Sequence, residues 1–308
     1  MALHLATEEQ QKQILAELKT THEQLNRDVI YLKRWLKLQP HLPQCTTDTN
    51  IAAFILGSKN NLELAKKKID SYYTVRTTIP ELFTKRDPQD NAFKESAESL
   101  LVAPLPKLTP DGCRVTMAGF RIPGPNKYDV ITLVKRILSI ADIRFQQEVF
   151  TNGDYLIIDG NRFSLAHALC LTPSLVRQVV FCSQEVYPLR IKGIIYFNVS
   201  YIVNAVVKFA KPFLRSKHFD RMTLYSEDHH VLLNHFPKEM LPRDYGGEET
   251  PLIELSSLWM KRLEAERGWL LGDGMQKVDE EKRPKGNKTN KVVDDLKTSD
   301  GLQNLNLD

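Results

Sequence analysis

The segment that decides the fold is YPLRIKGIIYFNVSYIVNAVVKFAKPFL, residues 187–214. Its first part, IKGIIYFNVS (191–200), is rich in isoleucine and aromatic residues and predicts a β-strand. Its second part, YIVNAVVKFA (201–210), predicts a helix that is apolar apart from Asn204 and Lys208. Such a helix must be enclosed on every side, or have core on one side and a removable apolar partner on the other. Basic residues stand at both ends of the segment and none of its residues is acidic, so its charge needs an explanation as well.

The same alternation of strand and helix continues on both sides of this segment. Strands are predicted at CRVTMAGF (113–120), which follows a turn at Asp111 and Gly112, at GDYLIIDG (153–160) and at DRMTLYS (220–226). Helices are predicted at 130–150 and at 172–188, the second with Pro173 in its first turn. Strands and helices that alternate over this length indicate a largely parallel α/β sheet.

The N-terminal third has a different pattern, which is typical of helices only. Leucine and valine recur at spacings of three, four and seven over residues 8–38 and predict one long helix. Thr47 or Asp48 is a suitable cap for a second helix, and residues 62–80 predict a third that Pro80 closes. We therefore expect a helical module at residues 1–90, an α/β domain at 91–260 and an extension at 261–308. From about residue 273 the extension is rich in charge and poor in large apolar groups, which is typical of a disordered tail.

Composition restricts the class of protein. The chain has 308 residues, of which 42% are hydrophobic and 26% charged, as in a soluble globular protein. Its start lacks the continuous apolar core of a signal peptide, and its longest apolar runs are about half of the ~20 residues that span a bilayer. Its four cysteines lie far apart with no metal-ligand spacing. These features predict a cytoplasmic monomer that binds neither metal nor nucleic acid.

The distribution of charge says more than its total. The net charge of the chain is +4, yet residues 190–221 contain seven bases and a single acid, Asp220. The remainder of the chain is therefore slightly acidic, and the basic stretch is either a solvated face or a site for an anion.

Sequence motifs give little support to catalysis. GxGxxG, GxxxxGK[ST], GxSxG and HExxH are all missing from the sequence. His229, His230 and His235 match no zinc spacing and fit surface histidines at a loop boundary. Asp159 follows an apolar strand without a neighbouring nucleophile or base, and Cys170 and Cys182 are expected to be core thiols. We predict no enzyme and no cofactor.

Three motifs together resemble the CRAL-TRIO lipid-binding family, in particular its tocopherol, retinaldehyde and clavesin-type members. They are GDYLIIDGNRFSLAHALCLTPS (153–174), YPLRIKG (187–193) and LPRDYGGE (241–248), and the resemblance extends over residues 10–260. The resemblance implies a helical N-terminal module and an α/β domain whose sheet is the floor of an apolar pocket. It also implies a carrier that exchanges one lipophilic molecule at a membrane.

The resemblance assigns the basic stretch a phosphoinositide site. Arg190, Lys192, Lys217 and Arg221 match family positions that form a cleft for phosphoinositide phosphates, and all four are basic here. An arginine-rich run of the family appears here as Leu-Gly-Ser-Lys, so one phosphate contact is lost or shifts to Lys59. The hydroxyl-bearing pocket positions of the tocopherol-binding members fall near Leu138 and Asp142, neither of which is a serine. This argues against tocopherol itself and leaves a retinoid, carotenoid, sterol or phospholipid tail as the ligand.

With the resemblance, the helix at about residues 200–210 is predicted to be a mobile lid over the pocket. We expect the pocket wall to come from the helix before the strand, the strand and the lid, together with the segment that precedes them. Each wall residue is also compatible with plain core. The set is Phe163, Leu165, Leu169, Val179, Cys182, Ser183, Tyr187, Ile194, Tyr196, Val203, Val206, Val207 and Ala210.

Three functional hypotheses follow. The first is a carrier of a hydrophobic small molecule that associates reversibly with phosphoinositide-containing membranes. The second is a phosphoinositide-binding adaptor of vesicle traffic, in which the pocket is secondary. The third is an enzyme that uses Asp159 or the histidines.

Overall fold

The N-terminal third is a group of packed helices. The computed structural model describes residues 3–44, 46–121, 129–272, 277–284 and 296. In the N-terminal part these include helices α1 (Glu8–Glu17), α2 (His22–Lys37), α3 (Asp48–Gly57), α4 (Leu62–Thr78), α5 (Pro80–Phe83) and α6 (Asn91–Ser99). Threonine or asparagine caps begin α1 to α4, because their side chains accept a hydrogen bond from a first-turn N–H.

Two helix boundaries differ from the sequence prediction. The single helix expected over residues 8–38 is wrong: Lys19 adopts a left-handed conformation with φ of 53°, and Thr21 caps a new helix. Pro80 does not close the module but begins the short helix α5, since a proline in the first turn has no N–H to lose.

Within the described ranges, five strands form one sheet in the order β1-β2-β3-β4-β5. They are β1 (Leu100–Leu108), β2 (Cys113–Phe120), β3 (Gly153–Asp159), β4 (Ile191–Phe197) and β5 (Met222–Leu224). β1 and β2 are antiparallel and the other pairs are parallel, which confirms the predicted α/β sheet. The sequence prediction missed β1, which contains Pro104 and Pro106 and lies at the edge, where a strand tolerates missing N–H groups.

The α/β part completes its layers with helices on both sides of the sheet. These are α7 (Val130–Gln147), α8 (Leu165–Leu169), α9 (Pro173–Phe181), α10 (Tyr201–Ala210), α11 (Ser216–Phe219), α12 (Leu252–Ala265) and α13 (Arg267–Leu271). A π-helical turn (Cys182–Val186) continues α9, and short 3-10 turns lie at Lys211–Phe213, His229–Asn234, Lys238–Met240, Arg243–Tyr245 and Glu280–Lys282.

The two faces of the sheet have different partners. Ile157 and Phe197 belong to a core that includes Trp259 and Leu263 of α12. Because side chains alternate along a strand, Ile158 and Tyr196 point to the opposite face. That second face lies beneath α10.

A buried ionic network joins the helical module to the α/β part. Asp142 of α7 accepts hydrogen bonds from Arg76 of α4 at 3.0 Å and from Arg86 at 2.7 Å, and all three side chains are fully buried. The hydroxyls of Tyr72 and Tyr187 also donate to Asp142, at 2.9 and 2.8 Å. Burial alone would raise the pKa of Asp142, but the charges of Arg76 and Arg86 outweigh it and hold this pKa below its ordinary value.

The C-terminal extension also contacts the helical module. Val278 is buried among the residues of the N-terminal core, and Arg283 forms an ion pair with Asp70 of α4 at 2.9 Å. The expected disorder is therefore wrong at residues 277–284, because these residues have an apolar anchor and a paired arginine. The other residues of the predicted tail beyond 284 lie outside the described residues, except Leu296, which is buried.

Candidate functional site

A basic cleft of about 490 Å³ lies where the helical module meets the start of β4. Its wall comes from the end of α1, the α3–α4 junction, the segment 184–192 and the segment that follows α10. The lining residues are Glu17, Leu18, Lys19, Gly57, Ser58, Lys59, Leu64, Lys68, Gln184, Leu189, Arg190, Ile191, Lys192, Arg215, Lys217, His218 and Arg221.

The structure brings all five residues of the predicted phosphoinositide site to this one cleft. Arg190 and Lys192 lie at the start of β4, and Lys217 and Arg221 lie between α10 and β5. Lys59 follows α3 in a left-handed conformation with φ of 55°, and its side chain is exposed at the rim. The fold thus gathers bases that are up to 162 positions apart in the sequence into one wall.

Three further bases line the cleft: Arg215, which belongs to the basic stretch 190–221 but not to the predicted set, and Lys19 and Lys68, which were not predicted. Lys68 is buried, and its Nζ donates a hydrogen bond to the carbonyl oxygen of Tyr187 at 2.6 Å. Burial lowers the pKa of Lys68 to about 8. In the sequence Lys68 stands in the run Lys-Lys-Lys of α4, which is typical of a solvated helix face, so no local pattern could have found it.

The cations of the cleft repel one another. Burial lowers the pKa of Lys217, and the charges of Arg215, Lys59 and Arg221 lower it further. Burial also lowers the pKa of His218, to about 4, and the charges of the neighbouring bases contribute to this shift. A concentration of like charge at partly buried positions is unfavourable unless an anion compensates it, which is the electrostatic condition for anion binding.

Arg190 has unused donors in this cleft. Its side chain is 8% exposed, and its Nε and Nη1 have no hydrogen-bond partner among the described residues. Only Nη2 is occupied, by Glu17 at 3.3 Å and by Asn152 at 3.4 Å. Leaving buried donors without acceptors is unfavourable, so an anion that the guanidinium can turn toward would gain charge-assisted hydrogen bonds there.

An apolar cavity of about 140 Å³ lies between the second face of the sheet and α10. Six of the predicted pocket residues line it: Phe163, Tyr196, Val203, Val206, Val207 and Ala210. The sequence analysis missed Phe120, Ile158, Asp159, Gly160 and Met222, which come from the ends of the neighbouring strands. Burial raises the pKa of Tyr196 to about 12, so its hydroxyl stays neutral in the wall.

Other predicted pocket residues lie elsewhere. Cys182 and Tyr187 are buried in a separate core beside α7, and Val179 packs against this core. The Tyr187 hydroxyl donates a hydrogen bond to Asp142 there. Leu165 and Leu169 are 57% and 77% exposed on α8.

Ser183 and Ile194 also lie outside the wall of the cavity. The Ser183 hydroxyl donates to the carbonyl oxygen of Val180 at 2.8 Å, within its own helical turn. Ile194 is buried on the same strand as Tyr196 but does not line the cavity. Contrary to the prediction, these seven residues do not line the cavity in this structure: five are buried or bonded elsewhere, and Leu165 and Leu169 are exposed.

Helix α10 covers the cavity as a surface helix. Ser200 caps it, Val203 and Val207 are buried beneath it, and Tyr201 is 81% exposed on its outer side. The alternative of a helix enclosed on every side is therefore wrong. Its inner face lies on the apolar cavity, and its outer face is open.

Gln184 links the end of α10 to the cleft. Its Nε2 donates to the carbonyl oxygen of Phe213 at 3.2 Å, and its Oε1 accepts from the backbone N–H of Arg215 at 3.0 Å. Phe213 ends the turn after α10 and Arg215 lines the cleft. A displacement of α10 thus acts on a segment that belongs to the cleft.

The residues weighed for catalysis have structural contacts. Asp159 accepts hydrogen bonds from Asn198 at 2.8 Å, Tyr245 at 3.1 Å and the N–H of Asn161 at 2.9 Å. His235 bonds to the Tyr225 hydroxyl at 2.8 Å. Among the described residues no group of His, Cys, Asp and Glu could hold a metal ion, and none of the helices has the length and apolar character needed to cross a membrane.

Comparison with known proteins places these features in a family context. Residues 21–93 match the family model described as a Pinta-like UBA domain, and residues 101–247 match the CRAL/TRIO domain. The chain is 27% identical to the human alpha-tocopherol transfer protein-like protein over 233 residues, 75% of this chain and 68% of that protein. It is 24% identical to human clavesin-2 over 237 residues, 76% of this chain and 72% of that protein. A crystal structure of Sfh5 covers 85% of this chain and 99% of its own, with a TM-score of 0.44 and 13% identity.

Proposed function

We propose that this chain, whose residues 101–247 match the CRAL/TRIO domain, carries one hydrophobic molecule and exchanges it at phosphoinositide-containing membranes. The observation that carries the proposal is the pairing of two sites. An apolar cavity lies beneath α10, and the segment that continues from α10 lines a basic cleft. A carrier that unloads at an anionic surface needs both.

The cavity supplies affinity through burial alone. Each methylene that leaves water contributes about 0.8 kcal/mol, so a ligand of ten to twenty carbons gains on the order of 8 to 16 kcal/mol. The cavity of about 140 Å³ is smaller than the roughly 300–1,000 Å³ of typical ligand pockets. Loading therefore requires α10 to move outward, with Val203 and Val207 exchanging protein contacts for ligand contacts.

The surface around α10 is suited to a membrane. Leu165 and Leu169 of α8, which contacts α10, are exposed, and so are Tyr201 and Phe209 of α10. Exposed apolar side chains that cluster in this way mark an interaction site. At a bilayer they can enter the acyl boundary, which compensates the exposure of the α10 inner face during exchange.

The cleft supplies the attraction to phosphoinositides. Phosphate is a compact anion that arginine holds by paired hydrogen bonds and lysine meets as a point charge. Arg190 has two buried donors without a partner among the described residues, and Lys59, Lys217 and Arg221 offer exposed charge. The head group would thus compensate the mutual repulsion of the cleft cations.

The two sites are coupled through the segment between them in this proposal. A head group that binds Arg215, Lys217 and Arg221 acts on the residues that Gln184 ties to the end of α10. A head group shifts the position of α10 only by its differential affinity for the two states, and about 1.4 kcal/mol gives a tenfold shift.

We expect phosphoinositide to speed unloading about tenfold. The measurement is transfer of a fluorescent retinol, tocopherol or cholesterol from loaded protein to vesicles with and without phosphatidylinositol 4,5-bisphosphate. Val206→Asp places a carboxylate in the cavity wall and should abolish loading, whereas Ala205→Asp, on the exposed outer side of α10, should load normally. Equal transfer rates with and without phosphoinositide, or normal loading of Val206→Asp, would contradict the proposal.

The second candidate is a phosphoinositide-binding adaptor with an unused cavity. The cleft, at about 490 Å³, is larger than the cavity at about 140 Å³, and this observation favours it. An adaptor would bind phosphoinositide vesicles while none of the three lipophiles loads. The same experiment therefore separates the two functions.

A further inference from the structure

Glu17 is an acid inside the basic cleft. Its Oε1 lies 3.3 Å from Nη2 of Arg190 and 3.2 Å from Nζ of Lys192. Burial would raise the pKa of Glu17, but hydrogen bonds from Lys192 and Asn152 and the nearby positive charges outweigh it and hold this pKa below its ordinary value. The carboxylate is therefore charged at neutral pH and paired with two cations of the cleft.

The rest of the fold holds Glu17 in this place. It is the last residue of α1, whose Ile14 and Leu15 are buried in the core of the helical module. The segment before α1 is fixed to the sheet, because the N–H of His4 bonds to the carbonyl oxygen of Pro106 at 2.9 Å. The side chain of Glu17 itself remains 46% exposed, so it can turn into solvent without any movement of the helix.

Glu17 divides the cleft into two zones of different availability. Among the described residues that line the cleft, eight are lysine or arginine and Glu17 is the one acid. Arg190 and Lys192 form a shielded zone beside it. Lys59, Lys217 and Arg221 form an open zone, which has no ion pair within the described part of the chain.

We infer that Glu17 is a displaceable internal anion, which occupies the shielded zone until a head group with more than one phosphate replaces it. The inference rests on the proposed head-group site of the cleft. One phosphate can bind the bases of the open zone without a competing acid. A second phosphate can bind Arg190 and Lys192 only if it replaces Glu17 as their ion-pair partner. Phosphate prevails because it carries up to two charges and three acceptor oxygens, whereas the Glu17 carboxylate carries one charge. The buried Nε and Nη1 of Arg190 have no partner among the described residues and would gain acceptors if the guanidinium turned toward the phosphate.

The inference predicts that removal of the Glu17 charge tightens binding. Calorimetric titration with inositol 1,4,5-trisphosphate should give a dissociation constant about three- to tenfold lower for Glu17→Gln than for the parent, because the ligand no longer has to break two partly exposed ion pairs. Glu9→Gln, with the same charge change at an exposed position of α1, should change it by less than about twofold. In an Arg190→Gln/Lys192→Gln background, Glu17→Gln should have no effect.

The outcomes separate this inference from the function it rests on. If the parent binds the trisphosphate and Glu17→Gln binds it equally or more weakly, Glu17 is a tether of α1 and the inference is wrong, while the cleft remains a head-group site. Tightening that persists without Arg190 and Lys192 would equally overturn it. If the parent does not bind the trisphosphate at all, the proposed head-group site is wrong and the inference with it.

Discussion

Asn in place of Asp142 is expected to lower the free energy of unfolding by about 3–5 kcal/mol, the usual cost of breaking a buried ion pair from one side. The substitution leaves Arg76 and Arg86 charged and fully buried without a counter-ion. It also weakens the acceptor of the Tyr72 and Tyr187 hydroxyls. Urea unfolding followed by circular dichroism measures the change, with Asp220→Asn at an exposed position as the matched control.

The pH dependence of the same network has a definite sign. The folded-state pKa of Asp142 lies below its ordinary value of 3.8. Its charged form therefore contributes stability that is present above about pH 4 and is lost as the pH falls through the folded-state pKa. Asp142→Asn should lack this part of the acid destabilisation. A variant as stable as Asp220→Asn, with unchanged acid unfolding, would show that the two guanidinium groups do not depend on Asp142.

Reversal of charge at Lys217 and Arg221 is expected to weaken binding to phosphoinositide vesicles by roughly 30-fold or more. Each base near an anionic surface contributes about 1 kcal/mol, so loss of two gives about 2 kcal/mol, and the new acids add repulsion. Both side chains are exposed, so Lys217→Glu/Arg221→Glu should keep the fold. Co-sedimentation with vesicles that contain phosphatidylinositol 4,5-bisphosphate measures the loss, and raised salt should reduce the binding of the parent.

The control for this charge reversal is Lys94→Glu/Lys261→Glu. It makes the same change of net charge at two exposed lysines that do not line the cleft. It should keep most of the vesicle binding. The basic stretch would be a solvated face if the parent and Lys217→Glu/Arg221→Glu bound vesicles equally. Equal losses of binding in both double variants would show the same.

Local patterns in the sequence predicted much of the fold. β4 and α10 lie within the predicted strand and helix, because isoleucine-rich and apolar runs specify these elements locally. β1 was missed because its two prolines oppose a strand, and only its place at the edge of the sheet permits them. The break between α1 and α2 was missed because the leucine spacing continues across it.

Residues of the cleft could be predicted from the sequence only where they belong to a recognisable motif. Arg190, Lys192, Lys217 and Arg221 were found through the family resemblance and lie together in the cleft. Lys68 and Glu17 also line this cleft. Lys68 bonds to Tyr187, 119 residues away, and Glu17 to Arg190, 173 residues away, and no local pattern in the sequence encodes such contacts. Tyr187 was placed in the pocket wall with the rest of the helix before β4, whereas its hydroxyl donates a hydrogen bond to Asp142.

Native mass spectrometry tests the central claim, the carriage of one hydrophobic molecule, most directly. The protein would be incubated with a mixture of retinoids, tocopherol, sterols and phospholipids and separated from free lipid by gel filtration. The mass of the intact complex would then be measured. We expect one bound lipophile per chain in the parent and in Ala205→Asp, and none in Val206→Asp, whose carboxylate would stand in the cavity wall. A parent that stays at its ligand-free mass throughout, or a Val206→Asp variant that takes up the same lipophile, would contradict it.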